Sequence, residues 1–130
     1  MVQPTKTNKK VLIVDDDPYI LKMYQLKLGF EDYEIETAEN GKIALEKIKN
    51  FKPDVVLLDI LMPEMDGFGV LEEMKKESDH KKTKVIVLTN FGEAENLEKA
   101  KSFGVGDFIV KTQLTPTQVV ERVKKILSKV

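Results

Sequence analysis

The chain has 130 residues, of which 21 are Lys or Arg and 22 are Asp or Glu, for a formal net charge of -1. That length suits one ordinary domain able to bury roughly two-thirds of its unfolded surface, and the near-balanced charge excludes a general electrostatic pull toward nucleic acid or anionic lipid. With no cysteine, a disulfide framework and a thiolate metal centre are excluded, and the composition is compatible with a reducing, cytoplasmic setting.

The opening stretch Met1 to Lys10 is basic, and residues 1–8 read as a flexible segment ahead of one domain at 9–130. The apolar run Val11-Leu12-Ile13-Val14 ends in Asp15-Asp16-Asp17, so it is too short for a signal-peptide core, and no stretch approaches membrane-spanning length. Its continuous, β-branched hydrophobicity predicts a strand covered on both faces. Asp17-Pro18 then reads as an N-cap with proline at the first helical position, where a missing N–H costs nothing. Ile20, Tyr24 and Leu28 share one face of this helix, and Gly29 is expected to end it. Tyr33-Glu34-Ile35-Glu36-Thr37 alternates, which suits a half-exposed edge strand.

Asn40 caps a second helix running to about Asn50, with Ile43, Ala44, Leu45 and Ile48 on its apolar side and Pro53 forbidding continuation. Val55-Val56-Leu57-Leu58 is the next buried run, and Asp66-Gly67 opens a third helix through Met74 to about Glu77. Val85-Ile86-Val87-Leu88 predicts a fourth strand, Glu93 to Lys101 a fourth helix, and Phe108-Ile109-Val110 a fifth strand. Thr115-Pro116-Thr117-Gln118 resembles a capping box and starts a fifth helix carrying Val119, Val123 and Ile126. Glu72 and Lys76, Glu95 and Lys99, and Glu121 and Lys125 stand four apart on what should be solvated faces.

Strands alternating with helices through short connections predict a doubly wound α/β fold of three layers, (βα)5, around a parallel five-stranded sheet. Placing the alternating second strand at an edge and the fully apolar ones inside gives the order 2-1-3-4-5. Function is then expected outside the C-terminal ends of the strands. Polar residues stand directly after the apolar runs: Asp15 and Asp16 after the first strand, Asp59 after the third, Thr89 after the fourth and Lys111 after the fifth. Any one of these alone reads equally well as a polar strand end, but parallel strands deliver all of them to one rim.

Two carboxylates about 4 Å apart repel by roughly 4 kcal/mol at an effective dielectric near 20, a cost a divalent cation removes. Few directly bound carboxylates, a carbonyl and several waters describe Mg2+ better than calcium, and a single histidine disfavours zinc. Magnesium would shield an incoming phosphoryl group from Asp59 and let the carboxylate act as nucleophile, with Lys111 and Thr89 holding the new oxygens.

Val14-Asp15-Asp16-Asp17, the run Leu58-Asp59-Ile60-Leu61-Met62-Pro63-Glu64-Met65-Asp66-Gly67, Leu88-Thr89-Asn90 and Phe108-Ile109-Val110-Lys111 together resemble the receiver domains of bacterial two-component response regulators, over nearly the whole chain. The resemblance implies a flavodoxin-like, stand-alone phosphoacceptor switch, not an enzyme beyond its own phosphotransfer and dephosphorylation. Asp59 would receive the group from a sensor histidine kinase or histidine phosphotransfer protein. Asp16 would bind Mg2+ directly, Asp15 through water, and Asp59 and the Leu61 carbonyl would complete the protein ligands. Thr89 and Phe108 would be the switch residues, reshaping the face of the fourth helix, fifth strand and fifth helix. That face would meet a downstream protein and is the natural dimer candidate on phosphorylation; no nucleic-acid or membrane partner is implied.

The sequence departs from the family pattern in places. Thr112 follows Lys111 where relatives usually carry proline after a cis bond; since a cis bond before a non-proline residue costs about 2.5–4 kcal/mol, either a trans or a strained cis geometry is expected. Leu61 and Phe91 are apolar two residues after Asp59 and Thr89, which implies a long-lived phosphoryl group. Asp17 reads as the helix cap rather than a third metal ligand. Phe108 also fits an ordinary edge-strand aromatic. His80 and the short basic patch of Lys81, Lys82 and Lys84 read as solvated surface, and Gly104-Val105-Gly106 precedes a strand, so it is no dinucleotide fingerprint. Three rivals remain at this point: a dehalogenase-like phosphatase with Asp15 as nucleophile, a flavodoxin-like binding module, and a receiver that is never phosphorylated.

Overall fold

The computed structural model describes residues 9–62, 65–77, 82–90 and 94–128. The readings of residues 1–8, His80, Lys81, Phe91 and the helix start at Glu93 lie outside the described residues. Among those described, strands and helices alternate: β1 (Lys10–Val14), α1 (Pro18–Gly29), β2 (Glu34–Ala38), α2 (Gly41–Phe51), β3 (Val55–Leu58), α3 (Gly67–Lys76), β4 (Lys84–Thr89), α4 (Ala94–Ser102), β5 (Asp107–Val110) and α5 (Pro116–Leu127). The five strands form one parallel sheet in the order β2-β1-β3-β4-β5, as expected.

Strand periodicity explains the continuous apolar runs. Successive residues point to opposite faces, and both faces are covered. Val11, Ile13, Val55, Leu57, Ile86, Leu88 and Ile109 pack with Leu21, Tyr24 and Leu28 of α1 and Val119, Val123 and Leu127 of α5. Leu12, Val14, Val56, Leu58, Val85 and Val87 pack on the other side with Ala44 and Ile48 of α2, Val70, Leu71 and Met74 of α3, and Ala100 of α4. Each buried Val, Leu, Ile or Met among them contributes about 1.5–3 kcal/mol. The edge strand β2 has a single neighbour, so Glu34 is exposed and Ile35, Glu36 and Thr37 are half-buried.

The helix starts follow their capping residues. Asp17 accepts the Tyr19 N–H at 2.9 Å, Asn40 the Ile43 N–H at 2.9 Å, and Asp66 the Gly69 N–H at 2.9 Å. At α5 both halves of the capping box close, with Gln118 N–H on Thr115 Oγ1 at 3.2 Å and Thr115 N–H on Gln118 Oε1 at 2.8 Å.

Several details differ from expectation. Gly29 is the last residue of α1 and not a left-handed stop; Phe30 caps the helix in right-handed geometry, and the positive φ of 46° falls later, at Asp32. On α1 the buried position is Leu21 with Ile20 only half-buried, and on α5 Val120 and Leu127 are buried with Ile126 half-buried, because each helix turns its face slightly from the axis the pattern suggested. The spaced ion pairs also re-sort: Lys76 meets Glu73 at 3.2 Å and Lys124 meets Glu121 at 3.7 Å, each one turn back along its helix. No cis peptide bond occurs among the described residues, so Lys111 and Thr112 are joined in trans. No described helix is long and apolar enough to cross a membrane.

Candidate functional site

Parallel pairing aligns the ends of β1 and β3, with Val14 beside Leu58, and the next residue of each strand is an aspartate. The ladder continues one step beyond the strands, since Asp59 N–H donates to Val14 O at 3.0 Å and Asp15 N–H to Ala38 O at 3.1 Å. Across β4, Lys111 N–H donates to Thr89 O at 2.7 Å, which carries the lysine to the same rim. Asp15, Asp16, Asp59 and Lys111 therefore converge, whereas Thr89, expected at the rim with them, is fully buried and outside the cavity lining.

The local geometry is set by short hydrogen bonds. Asp15 Oδ1 accepts the Asp17 N–H at 2.9 Å and Asp59 Oδ1 accepts the Leu61 N–H at 3.0 Å, leaving the other oxygen of each turned to Lys111. Lys111 Nζ lies 2.8 Å from Asp15 Oδ2 and 3.5 Å from Asp59 Oδ2. Below Asp59 the return into α3 is tight: Gly67 N–H donates to Ile60 O at 3.1 Å, and a Cβ on Gly67 would lie 2.7 Å from both Asp59 O and Ile60 Cα. Only glycine allows so close an approach.

Asp15, Asp16 and Asp59 each offer a carboxylate oxygen within 4.8 Å of the others. Asp15 and Asp59 are buried, at 2% and 6% exposure, while Asp16 is exposed. These residues line a cavity of about 330 Å³. Its remaining walls are Asp17, Ile20, Leu61, Asn90 and Lys111. Asp17 keeps its carboxylate for the α1 cap and stays outside the acidic trio, as expected.

Burial pushes the Asp59 carboxyl above its usual range, and the Leu61 N–H and the Lys111 charge only partly counter it. Burial works to lower Lys111, but its bond to Asp15 and the charge of Asp59 prevail and hold the ammonium above its usual value. Beneath them Tyr24 is pushed up to about 12, by burial first and by the Asp15 charge second.

Thr89 is fully buried. Phe108 stands opposite Val87, two residues before Thr89, so Phe108 and Thr89 share one face of the sheet. The Phe108 ring is half-buried against the cluster beneath α2, α3 and α4. Three participants escaped the sequence reading: Asn90 and Ile20, which line the cavity, and Tyr24, assigned only to the core. Strand alternation could have marked Asn90, since the residue after buried Thr89 must turn outward at the rim.

This doubly wound sheet with acids and a lysine gathered at its C-terminal rim is the architecture of a signalling receiver. A family model of the response regulator receiver domain matches residues 11–124, and the chain belongs to that family, whose standard role is that of a phosphoacceptor switch in two-component signalling. It is similar to the response regulator receiver domain protein of Methanospirillum hungatei JF-1, at 34% identity and a TM-score of 0.82, over 93% of this chain and 94% of that one. It is also similar to the chemotaxis protein CheY4 of Vibrio cholerae, at 31% identity and a TM-score of 0.83, over 91% and 98%. Among curated proteins, a probable transcriptional regulator, ycf27, of Guillardia theta is 37% identical over 122 residues, which are 94% of this chain and 46% of the relative. The chain spans about half the length of the curated ycf27 relatives it matches.

Proposed function

We propose that Asp59 is the phosphoacceptor of this switch and takes its phosphoryl group from a sensor histidine kinase or histidine phosphotransfer protein. The observation that carries the reading is the meeting of Asp15, Asp16, Asp59 and Lys111 from three separate strands around one cavity. Asp59 is the candidate nucleophile because it sits at the cavity floor, buried, with one oxygen fixed by the Leu61 N–H and the other facing Lys111. Nucleophilic attack by that second oxygen on phosphorus forms an acyl phosphate while the P–N bond of the phosphohistidine breaks and its electron pair returns to the donor imidazole. Lys111 is drawn to the new phosphoryl oxygens by charge, and Thr89 supplies a hydroxyl donor on the side facing Phe108.

The trio of hard carboxylate oxygens within 4.8 Å suits Mg2+ and offers none of the nitrogen or sulfur that zinc prefers. Asp16 and Asp59 would hold it directly, with Asp15 through water and the Leu61 carbonyl as a further ligand. When bound, it supplies charge neutralisation for the carboxylates and the phosphoryl oxygens.

Thr89 and Phe108 would carry the change to the α4-β5-α5 face, which would contact a downstream protein or a second copy of the chain. Two new hydrogen bonds to a charged group, each worth about 1.5–3 kcal/mol, come near the roughly 5.5 kcal/mol that inverts a 99:1 equilibrium. Leu61 brings no hydrogen-bonding side chain to the cavity, which favours a persistent acyl phosphate. The absence of cysteine fits work in the cytoplasm. Mass spectrometry after treatment with a small phosphodonor and magnesium tests the reading: the modification should map to Asp59 and vanish in Asp59→Asn, whereas modification at Asp15 would favour the phosphatase-like rival.

A further inference from the structure

Met65 sits where two helices begin. Its side chain fills the space between Gly41, the first residue of α2, and Gly69, in the first turn of α3. A Cβ on Gly41 would fall 2.9 Å from both Met65 Cβ and Met65 Cγ, and one on Gly69 would fall 2.9 Å from Met65 Cγ and 3.8 Å from its sulfur. Both walls of this slot are bare backbone, which cannot turn away as a side chain can. The slot thus suits an unbranched, apolar chain.

It also opens outward. Met65 is half-buried and lines a cavity of about 280 Å³ with Asn40, Gly41 and Lys42, so a solute the size of hydrogen peroxide has a way in to this side chain. Met62 and Met74, by contrast, are 8% and 7% exposed within the core. Met23 is half-buried too, but it packs on the opposite side of the sheet. Short hydrogen bonds tie the residues after Met65 to the acidic cavity. Asp66 accepts the Gly69 N–H at 2.9 Å, Gly67 N–H donates to Ile60 O at 3.1 Å, and Leu61 N–H donates to Asp59 Oδ1 at 3.0 Å.

We propose that Met65 is a site of oxidation by hydrogen peroxide and that its sulfoxide disables the phosphoacceptor loop, a consequence that rests on the phosphoacceptor reading above. A sulfur lone pair attacks one peroxide oxygen and the O–O bond breaks. The departing hydroxide takes the proton from the oxygen left on sulfur and leaves as water. Sulfur loses two electrons and the peroxide gains them. The added oxygen and its dipole make the side chain polar, and it no longer fits the slot walled by glycine. Asp66 and Gly67 shift with Met65, and Ile60 carries the displacement to Asp59.

The test exposes the full chain to rising hydrogen peroxide, maps sulfoxides by peptide mass spectrometry, and follows magnesium titration and loading with acetyl phosphate. Met65 should be oxidised before Met62 and Met74. As it converts, the magnesium midpoint should rise about tenfold, the lower end of what lost outer support costs a metal site, and loading at Asp59 should fall in step. Treatment with the reductases for both sulfoxide epimers should restore both readouts. Met65→Leu keeps similar bulk without sulfur and should hold its magnesium midpoint through peroxide treatment. Should leucine itself disturb the loop, recovery of the unaltered chain under the reductases decides the question. Sulfoxide forming at Met65 no sooner than at Met62 and Met74 would overturn the proposal, as would full oxidation of Met65 with magnesium binding and loading unchanged. An equal loss in Met65→Leu would overturn it by assigning the effect to another methionine, such as Met23. An unaltered chain that neither binds magnesium nor loads would remove the phosphoacceptor reading and this proposal together, and that is seen before any peroxide is added.

Discussion

Lys111 and Asp15, 96 positions apart in sequence, are joined by a 2.8 Å ion pair at the rim of the sheet. The same ammonium reaches Asp59 at 3.5 Å, so one positive charge serves two buried carboxylates. Lys111 holds them together in the way a cation would, and the energetics of the site follow from that arrangement.

Replacing Lys111 with methionine keeps the apolar stem and removes the charge. Two buried carboxylates are then left facing each other, and breaking a buried pair in this way costs about 3–5 kcal/mol. Denaturant unfolding at neutral pH without divalent ions should show a loss toward the lower end of that range, since the lysine is not fully enclosed. Magnesium should recover more stability in Lys111→Met than in the parent chain. A variant as stable as the parent without metal would show that the ion pair contributes nothing.

Asp59→Asn should stabilise the metal-free fold at neutral pH. Burial raises the Asp59 carboxyl above its unfolded value, so the folded state binds its proton more tightly. The sign comes from linkage: this group favours the fold below its unfolded pKa and loses that contribution as pH rises through the folded one. The difference between Asp59→Asn and the parent should therefore grow as pH rises from strongly acidic toward neutral and level off above. Thermal melts across that range measure it, and a parent more stable than Asp59→Asn at neutral pH would contradict the assigned cause.

Magnesium should raise the thermal midpoint of the unphosphorylated chain, reaching about 2.7 kcal/mol of stabilisation at a hundredfold excess over its dissociation constant. In Asp16→Asn the titration should move to much higher metal concentration with little change in metal-free stability, because Asp16 is exposed. Equal titrations for the two chains would remove Asp16 from the ligand set.

Gly67→Ala places a methyl group 2.7 Å from Asp59 O and Ile60 Cα, contacts with backbone that cannot swing aside. A loss of about 1–3 kcal/mol is expected, as for other overpacked sites. Because one of the displaced atoms is the carbonyl oxygen of Asp59 itself, magnesium affinity should fall as well. Unaltered metal binding in a destabilised Gly67→Ala would separate the packing of the loop from the geometry of the acid.

Thr89→Ala should still accept phosphate at Asp59 but respond weakly, since Thr89 is buried on the face it shares with Phe108 and does not line the cavity. Partner binding after phosphorylation is the measurement, and full switching would dismiss Thr89 as the link.

Much of this was legible in the sequence because the sheet is parallel and covered on both faces. Continuous runs such as Val55 to Leu58 announce a buried strand within a residue of its ends, and the residue after each run is delivered to a common rim. Caps at Asp17, Asn40, Asp66 and Thr115 are local chemistry and so are readable locally. What escaped depends on three-dimensional neighbours. Leu21 is buried and Ile20 only half-buried because the helix is rotated by its packing on the sheet. The place of Ile20 in the cavity wall was hidden because lining a cavity leaves no periodic mark on a helix.

The sheet order has a mechanical corollary. β1 and β3 are each clamped between two neighbours, whereas β5, which delivers Lys111, has β4 on one flank only. The acids thus stand on the stiff middle of the sheet and the lysine on its looser margin. Rearrangement around a new phosphate should accordingly be borne by the margin, with the carboxylates as the fixed reference.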